Sequence, residues 1–126
     1  MNVHDATECA YKNGYKNGLS DGKAQAQAVL EKEIERKLVA MVKRRGGLCL
    51  KWTCPGWLGV PDRICLFPRG RVVFVETKRP AGGKRGAMQK WWARKLADLG
   101  FVHLWVKCEE DIRALELLIR SEEGSL

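Results

Sequence analysis

Apolar residues recur along this chain with two different periods. Leu30, Ile34, Leu38, Met41 and Val42 fall at i, i+4, i+8, i+11 and i+12, which predicts a helix from Ala24 to about Arg45. Gly46-Gly47 supply its stop. Leu48 to Thr53 reads as a short strand, and Cys54-Pro55-Gly56-Trp57-Leu58-Gly59-Val60-Pro61 as a loop rich in turn residues. Asp62 opens a second strand over Arg63 to Phe67, Pro68-Arg69-Gly70 makes a compact hairpin connection, and Arg71 to Lys78 is a third strand. Val72 to Val75 are apolar without alternation, as suits a central strand covered on both faces. Pro80-Ala81-Gly82-Gly83 is a flexible loop. A helix then runs from Gly86 to Leu99 and ends at Gly100, a good residue just past a helix C-terminus. Phe101 to Val106 is a fourth strand. Glu109 to Arg120 is a closing amphipathic helix with its acids in the first turn. The order α-β-β-β-α-β-α predicts an α/β domain with a mixed sheet flanked by helices.

The first residues break this pattern. Tyr11-Lys12-Asn13-Gly14 repeats as Tyr15-Lys16-Asn17-Gly18, and Gly22 extends the glycine spacing. A helix here would line its glycines on one face and its tyrosines on another. Each glycine costs such a helix about 1 kcal/mol relative to alanine, so a disordered leader stands equally. The expected division is an extension over 1–28, a domain over 29–120 and a tail over 121–126.

Composition narrows the class. A chain of 126 residues has room for a single hydrophobic core. With 30% charged residues and no run of about 18 apolar ones, no spanning helix is expected. The N-terminus lacks a basic-then-apolar leader, which predicts a cytoplasmic protein. A net charge of +8 points to a polyanion, nucleic acid ahead of a membrane surface, or to a surface made basic for solubility. The placement of the acids says more. Between Glu35 and Glu109 there are 17 Lys and Arg but only Asp62, Glu76 and Asp98 of the opposite sign. The five cysteines (Cys9, Cys49, Cys54, Cys65 and Cys108) lack CxxC spacing and form no zinc pattern with His4 and His103. They read as reduced thiols, with Cys49 and Cys54 as half of a metal site the alternative.

Glu76 and Lys78 are two apart on a strand and leave the same face. Glu76 follows an apolar run, where a carboxylate is costly unless something binds it. Asp62 sits at the mouth of the strand joined to it by a hairpin, so the two carboxylates can converge at one end of the sheet. Together with Lys78 they form a set able to hold a hard divalent cation and a nucleophilic water, and Glu31 or Glu35 could add a further carboxylate. The plainer reading is a solvated Glu-x-Lys ion pair and a Pro-Asp turn.

Gly59-Val60-Pro61-Asp62-Arg63, Phe74-Val75-Glu76-Thr77-Lys78 and Gln89 together resemble the PD-(D/E)xK nuclease superfamily, most closely its small stand-alone VRR-NUC domains, many of them phage-encoded. The resemblance runs from about Glu31 to Leu118. It takes in Glu31-x-x-Ile34-Glu35-x-x-Leu38, Lys51-x-x-x-Pro55-Gly56, Gly70-Arg71, Pro80, Gly82-Gly83 and Leu99-Gly100, in order.

The resemblance implies a restriction-endonuclease-like core and hydrolysis of DNA phosphodiesters with Mg²⁺ or Mn²⁺. Asp62 and Glu76 would be carboxylate ligands, joined by the Thr77 carbonyl and a helix-one acid, Glu31 in preference to Glu35. Lys78 would orient or deprotonate the attacking water, or assist it electrostatically, and Gln89 would reach back from the second helix. Trp92 would complete a Gln-x-x-aromatic pattern, or serve as a core residue. Arg63, Arg79, Lys84, Arg85, Lys90, Arg94 and Lys95 would bind phosphates without reading sequence. Gly82 to Gly86 is either a backbone clamp or a mobile basic loop, and Trp57 either stacks on exposed bases or packs. Holliday-junction resolvase relatives imply branched DNA as substrate and a homodimer as the working form. The alternatives are an idle DNA-binding or assembly module, a non-specific exonuclease, or an RNA-directed nuclease.

Overall fold

The computed structural model describes residues 20–78 and 86–123, with side chains over 30–78 and 86–122. The Tyr-Lys-Asn-Gly repeat, Cys9 and the cations Arg79, Lys84 and Arg85 lie outside the described residues. Helix α1 spans Ser20–Arg44 and is followed by β1 (Leu48–Lys51), β2 (Arg63–Phe67) and a turn of 3-10 helix (Pro68–Gly70). Strand β3 (Arg71–Thr77), helix α2 (Ala87–Asp98), β4 (Val102–Val106) and α3 (Glu109–Glu123) complete the chain. The expected α-β-β-β-α-β-α order is therefore present. Helix α1 begins four residues before Ala24, and β1 stops at Lys51, short of Thr53.

The sheet has the order β1-β2-β3-β4, with the first two pairings antiparallel and β3–β4 parallel. Parallel β4 needs a crossover, and α2 provides it. Strand β3 is central, and Val73 to Thr77 are all buried. Its inward side chains Val73 and Val75 join Ile34, Leu38, Met41 and Val42 of α1 with Ile112, Leu115 and Ile119 of α3 in one core. The apolar period of α1 thus marks the face that meets the sheet. On the other face, Phe74 packs against Trp52 at 5.5 Å and Phe101 at 5.5 Å. Trp52 in turn meets Trp92 of α2 at 5.6 Å. The sheet lies between two helical layers, and its second layer is largely aromatic.

Helix α2 ends as its sequence predicts. Gly100 has φ +91, the Phe101 N–H donates to Leu96 O at 2.9 Å and the Gly100 N–H to Ala97 O at 3.0 Å. This pair of bonds satisfies carbonyls that the helix end would leave bare. At the other end of the domain, Glu116 of α3 accepts from Arg44 at 3.1 Å and from Arg45 at 2.9 Å, joining α3 to the C-terminal end of α1. Asp111 is buried and accepts the Lys107 N–H at 2.9 Å; burial raises its pKa, against the pull of the Lys107 and Cys108 amides. Its work is to cap α3. Among the described residues no helix is long and apolar enough to cross a membrane.

Candidate active site

The β2–β3 register pairs Arg63 with Val75, so Asp62, one residue before Arg63, arrives beside the Glu76–Thr77 end of β3. A backbone bond from the Trp52 N–H to Asp62 O, 3.0 Å, holds this corner to the end of β1. Asp62 Oδ2 accepts from the Thr77 N–H at 3.1 Å and from Thr77 Oγ1 at 2.8 Å. Glu76 is 3% exposed. Its Oε1 accepts from Gln89 Nε2 at 3.0 Å, while its buried Oε2 has no hydrogen-bond partner among the described residues. Burial first, then the negative charge and close approach of Asp62, push the Glu76 pKa up to about 8. Lys78 opposes that rise and the charge of Glu31 adds to it.

Gln89 links the pieces. Its Oε1 accepts from Lys78 Nζ at 2.6 Å and from the Gly86 N–H at 3.0 Å. One amide therefore closes the N-terminus of α2 and spans Glu76 and Lys78. The Lys78 ammonium also lies 5.8 Å from the centroid of Trp105, the β4 partner of Glu76. The loop before Asp62 is locked to the same helix. Gly59 adopts φ +77, and a Cβ there would lie 2.6 Å from Met88 Cβ and 2.9 Å from Gln89 N. Only glycine suits both that conformation and that approach.

Asp62, Glu76, Thr77, Lys78 and Gln89 thus come together at one end of the sheet, and the field of Glu31 reaches Glu76. Glu35 is engaged elsewhere. Its Oε1 accepts from Arg63 at 2.6 Å and 3.0 Å, and Arg63 is only 13% exposed at its side chain. Arg63 is therefore tied to α1, although its type and position suggested a phosphate contact. Lys90, Arg94 and Lys95 are exposed along α2. Cys49 faces Cys65 across β1 and β2 with the sulfurs 3.8 Å apart.

The motif pattern did not draw attention to Trp91. It is 42% exposed and stacks on Trp57, with centroids 5.9 Å apart and ring planes at 16°. The signal was available in the Trp91-Trp92 doublet. Adjacent residues on a helix point about 100° apart, so an inward Trp92 leaves Trp91 near the surface.

Among the described residues, no three His, Cys, Asp or Glu side chains gather closely enough to hold an ion by themselves. Asp62, Glu76 and a main-chain carbonyl nevertheless suit a small hard cation, which keeps several waters and needs only one or two carboxylates. The unpartnered Glu76 Oε2 is the atom such an ion would satisfy.

Comparison with known proteins bears on the fold that carries these residues. No protein-family model matches the chain. A stretch of 50 residues, 40% of the chain, is 46% identical to "Putative nuclease p44" of Acyrthosiphon pisum secondary endosymbiont phage 1 and spans about half (54%) of that protein. A solved structure described as a VRR_NUC domain superposes with a TM-score of 0.64 at 25% identity, covering 68% of this chain and 91% of that one.

Proposed function

We propose that this chain, a VRR-NUC domain of restriction-endonuclease-like fold, is a divalent-metal-dependent nuclease that hydrolyses phosphodiester bonds in DNA. Glu76 carries the reading. A buried carboxylate with one bare oxygen, pressed by a second acid that Lys78 only partly offsets, is stable as an anion near neutral pH only with a further positive charge. Asp62, Glu76 and the Thr77 carbonyl would hold that charge as Mg²⁺ or Mn²⁺, with Glu31, whose charge also acts on Glu76, as a further candidate ligand. When bound, the ion supplies a nucleophilic water near neutral pH and offsets charge on the scissile phosphate.

The remaining work belongs to the protein. Thr77 fixes the Asp62 carboxylate with two hydrogen bonds. Gln89 orients Glu76 and Lys78 relative to each other. Lys78 places an ammonium where the attacking water and the phosphate meet, to guide the proton or to stabilise the developing charge. Lys90, Arg94 and Lys95 neutralise neighbouring phosphates, joined by Arg79, Lys84 and Arg85 from the preceding segment. The finer reading is an endonuclease for branched DNA such as a four-way junction. A junction presents two symmetric scissile strands and one such site serves one of them, which favours a two-fold dimer.

End-labelled four-way junction, flap, duplex and single-stranded DNA, with an RNA duplex alongside, test the proposal in Mg²⁺ or Mn²⁺. Internal cuts in branched DNA are expected, and Asp62→Ala, Glu76→Ala and Lys78→Ala should each slow them by about 10²-fold or more. If every wild-type lane stays uncut while the junction still shifts on a gel, the chain is a binding module and the nuclease reading is wrong. Terminal products alone would make it an exonuclease.

A further inference from the structure

We infer that Trp57 and Trp91 form a ledge beside the active site that stacks an unpaired nucleobase of the DNA substrate. The inference rests on the nuclease reading and deepens it: DNA is selected by the presence of a splayed base a few nucleotides from the cut.

The two rings lie nearly parallel, 5.9 Å apart, and remain 52% and 42% exposed. Leu58 at 79% and Met88 at 38% extend the apolar surface around them. An exposed patch of this kind on a charged protein marks a binding surface. The ledge is also rigid. Trp92 stands edge-on to both rings, at 5.6 Å from Trp57 and 5.2 Å from Trp91. Trp92 is itself pinned by its Nε1–H donating to Leu58 O at 3.0 Å and by its contact with Trp52. Close packing of Gly59 on Met88 and Gln89 holds the loop and the helix together. A flat aromatic surface fixed in advance loses little entropy on binding.

Charge selects the occupant. Arg94 and Lys95 lie one turn beyond Trp91 on α2, Lys90 precedes it, and all three are exposed. No acid occurs from Thr77 to Ala97. An apolar partner would have no use for these cations. A second copy docked symmetrically on the same patch would bring them against their own kind. A nucleobase with its phosphates matches both features, since every base has a π face and every nucleotide a negative charge. Pairs inside a duplex have both faces covered by their neighbours, so away from duplex ends the ledge is open only to unpaired bases.

Position ties the ledge to the chemistry. Trp57 belongs to the loop that ends at Asp62, and Trp91 is two residues from Gln89. Two residues place Trp91 across α2 from Gln89, and a helix is about 10–12 Å wide. That is roughly three nucleotides at ~3.4 Å per rise.

The test measures binding with no divalent ion present, so that nothing is cut. Labelled blunt duplex is compared with the same duplex carrying a short flap, and with a flap whose nucleotides are abasic. For the wild type, removing the flap bases should weaken binding by about tenfold or more. Trp57→Ala and Trp91→Ala should lose the same factor on the intact flap, stay within about twofold on blunt duplex, and respond little to abasic flaps. Trp91→Phe should keep most of the affinity. Equal losses on duplex and flap overturn the ledge, as does a wild type indifferent to abasic flaps, a result that needs no variant to fold. A wild-type dimer that the Trp variants split while flap preference persists makes the patch a subunit contact instead. Cutting without base preference overturns the ledge alone. Base preference without cutting in Mg²⁺ or Mn²⁺ supports the ledge and overturns the nuclease.

Discussion

Glu76 and Gln89 are the single side chains on which the proposed chemistry is most directly tested. The unfolded Glu76 titrates near 4.5 and the folded one near 8. Between those values the native chain holds a proton that the unfolded chain has released, so this group's stabilising contribution is full below pH 4.5 and lost as pH rises through 8. A Glu76→Gln variant cannot ionise. Without divalent ions it should melt above the wild type, by a margin that opens from pH 4.5 and levels beyond 8. Thermal melts across pH 4–9 check this, and added Mg²⁺ should stabilise the wild type but not the variant. Asp111 is also buried and raised, but the substitution leaves it in place and so isolates Glu76. Gln89→Ala removes both the cap of α2 and the donor to Glu76. A loss of about 1–2 kcal/mol in denaturant titration is expected, together with a fall in cleavage larger than that destabilisation alone produces.

At the level of elements, the site depends on how the loop at 54–61 seats on α2. Gly59→Ala would force φ +77 on a residue with a Cβ and place that atom 2.6 Å from Met88. It should cost about 1–3 kcal/mol and lower the cleavage rate. Leu115→Ala, in the core against α1 and the far side of the sheet, should cost about 2–5 kcal/mol and leave the rate of the folded fraction unchanged. Comparing the two variants at a temperature where both are folded separates damage to the site from loss of stability. The Arg44–Glu116 and Arg45–Glu116 pairs join α1 to α3 but are partly open to solvent, and contribute roughly 1 kcal/mol or less.

Across the whole molecule, the proposed function divides the labour between a basic surface that would set affinity and a few acids that would set chemistry. Binding to any DNA should weaken steeply with salt, and Arg94→Ala or Lys95→Ala should each lower the slope of log K against log salt by about one. Arg63→Ala should leave that slope nearly unchanged, because its guanidinium is bound to Glu35, and should destabilise the domain instead. Anisotropy titrations at several salt concentrations distinguish the two kinds of cation.

Sequence by itself determined the order of elements, the helix end at Gly100, the apolar face of α1 and the meeting of Asp62 with Glu76. Each follows from local periodicity, a local backbone requirement or strand parity across one short hairpin. Only the tertiary structure decided that Arg63 belongs to Glu35, that Gln89 spans Glu76 and Lys78 while capping α2, and that Trp91 stays outside while Trp92 turns in. Those outcomes depend on which helix face meets the sheet and how the loop at 54–61 folds over it, neither of which has a short-range signature. The raised pKa of Glu76 is of the same kind. Desolvation and the field of a second carboxylate arise only once the sheet and both helical layers have closed around it.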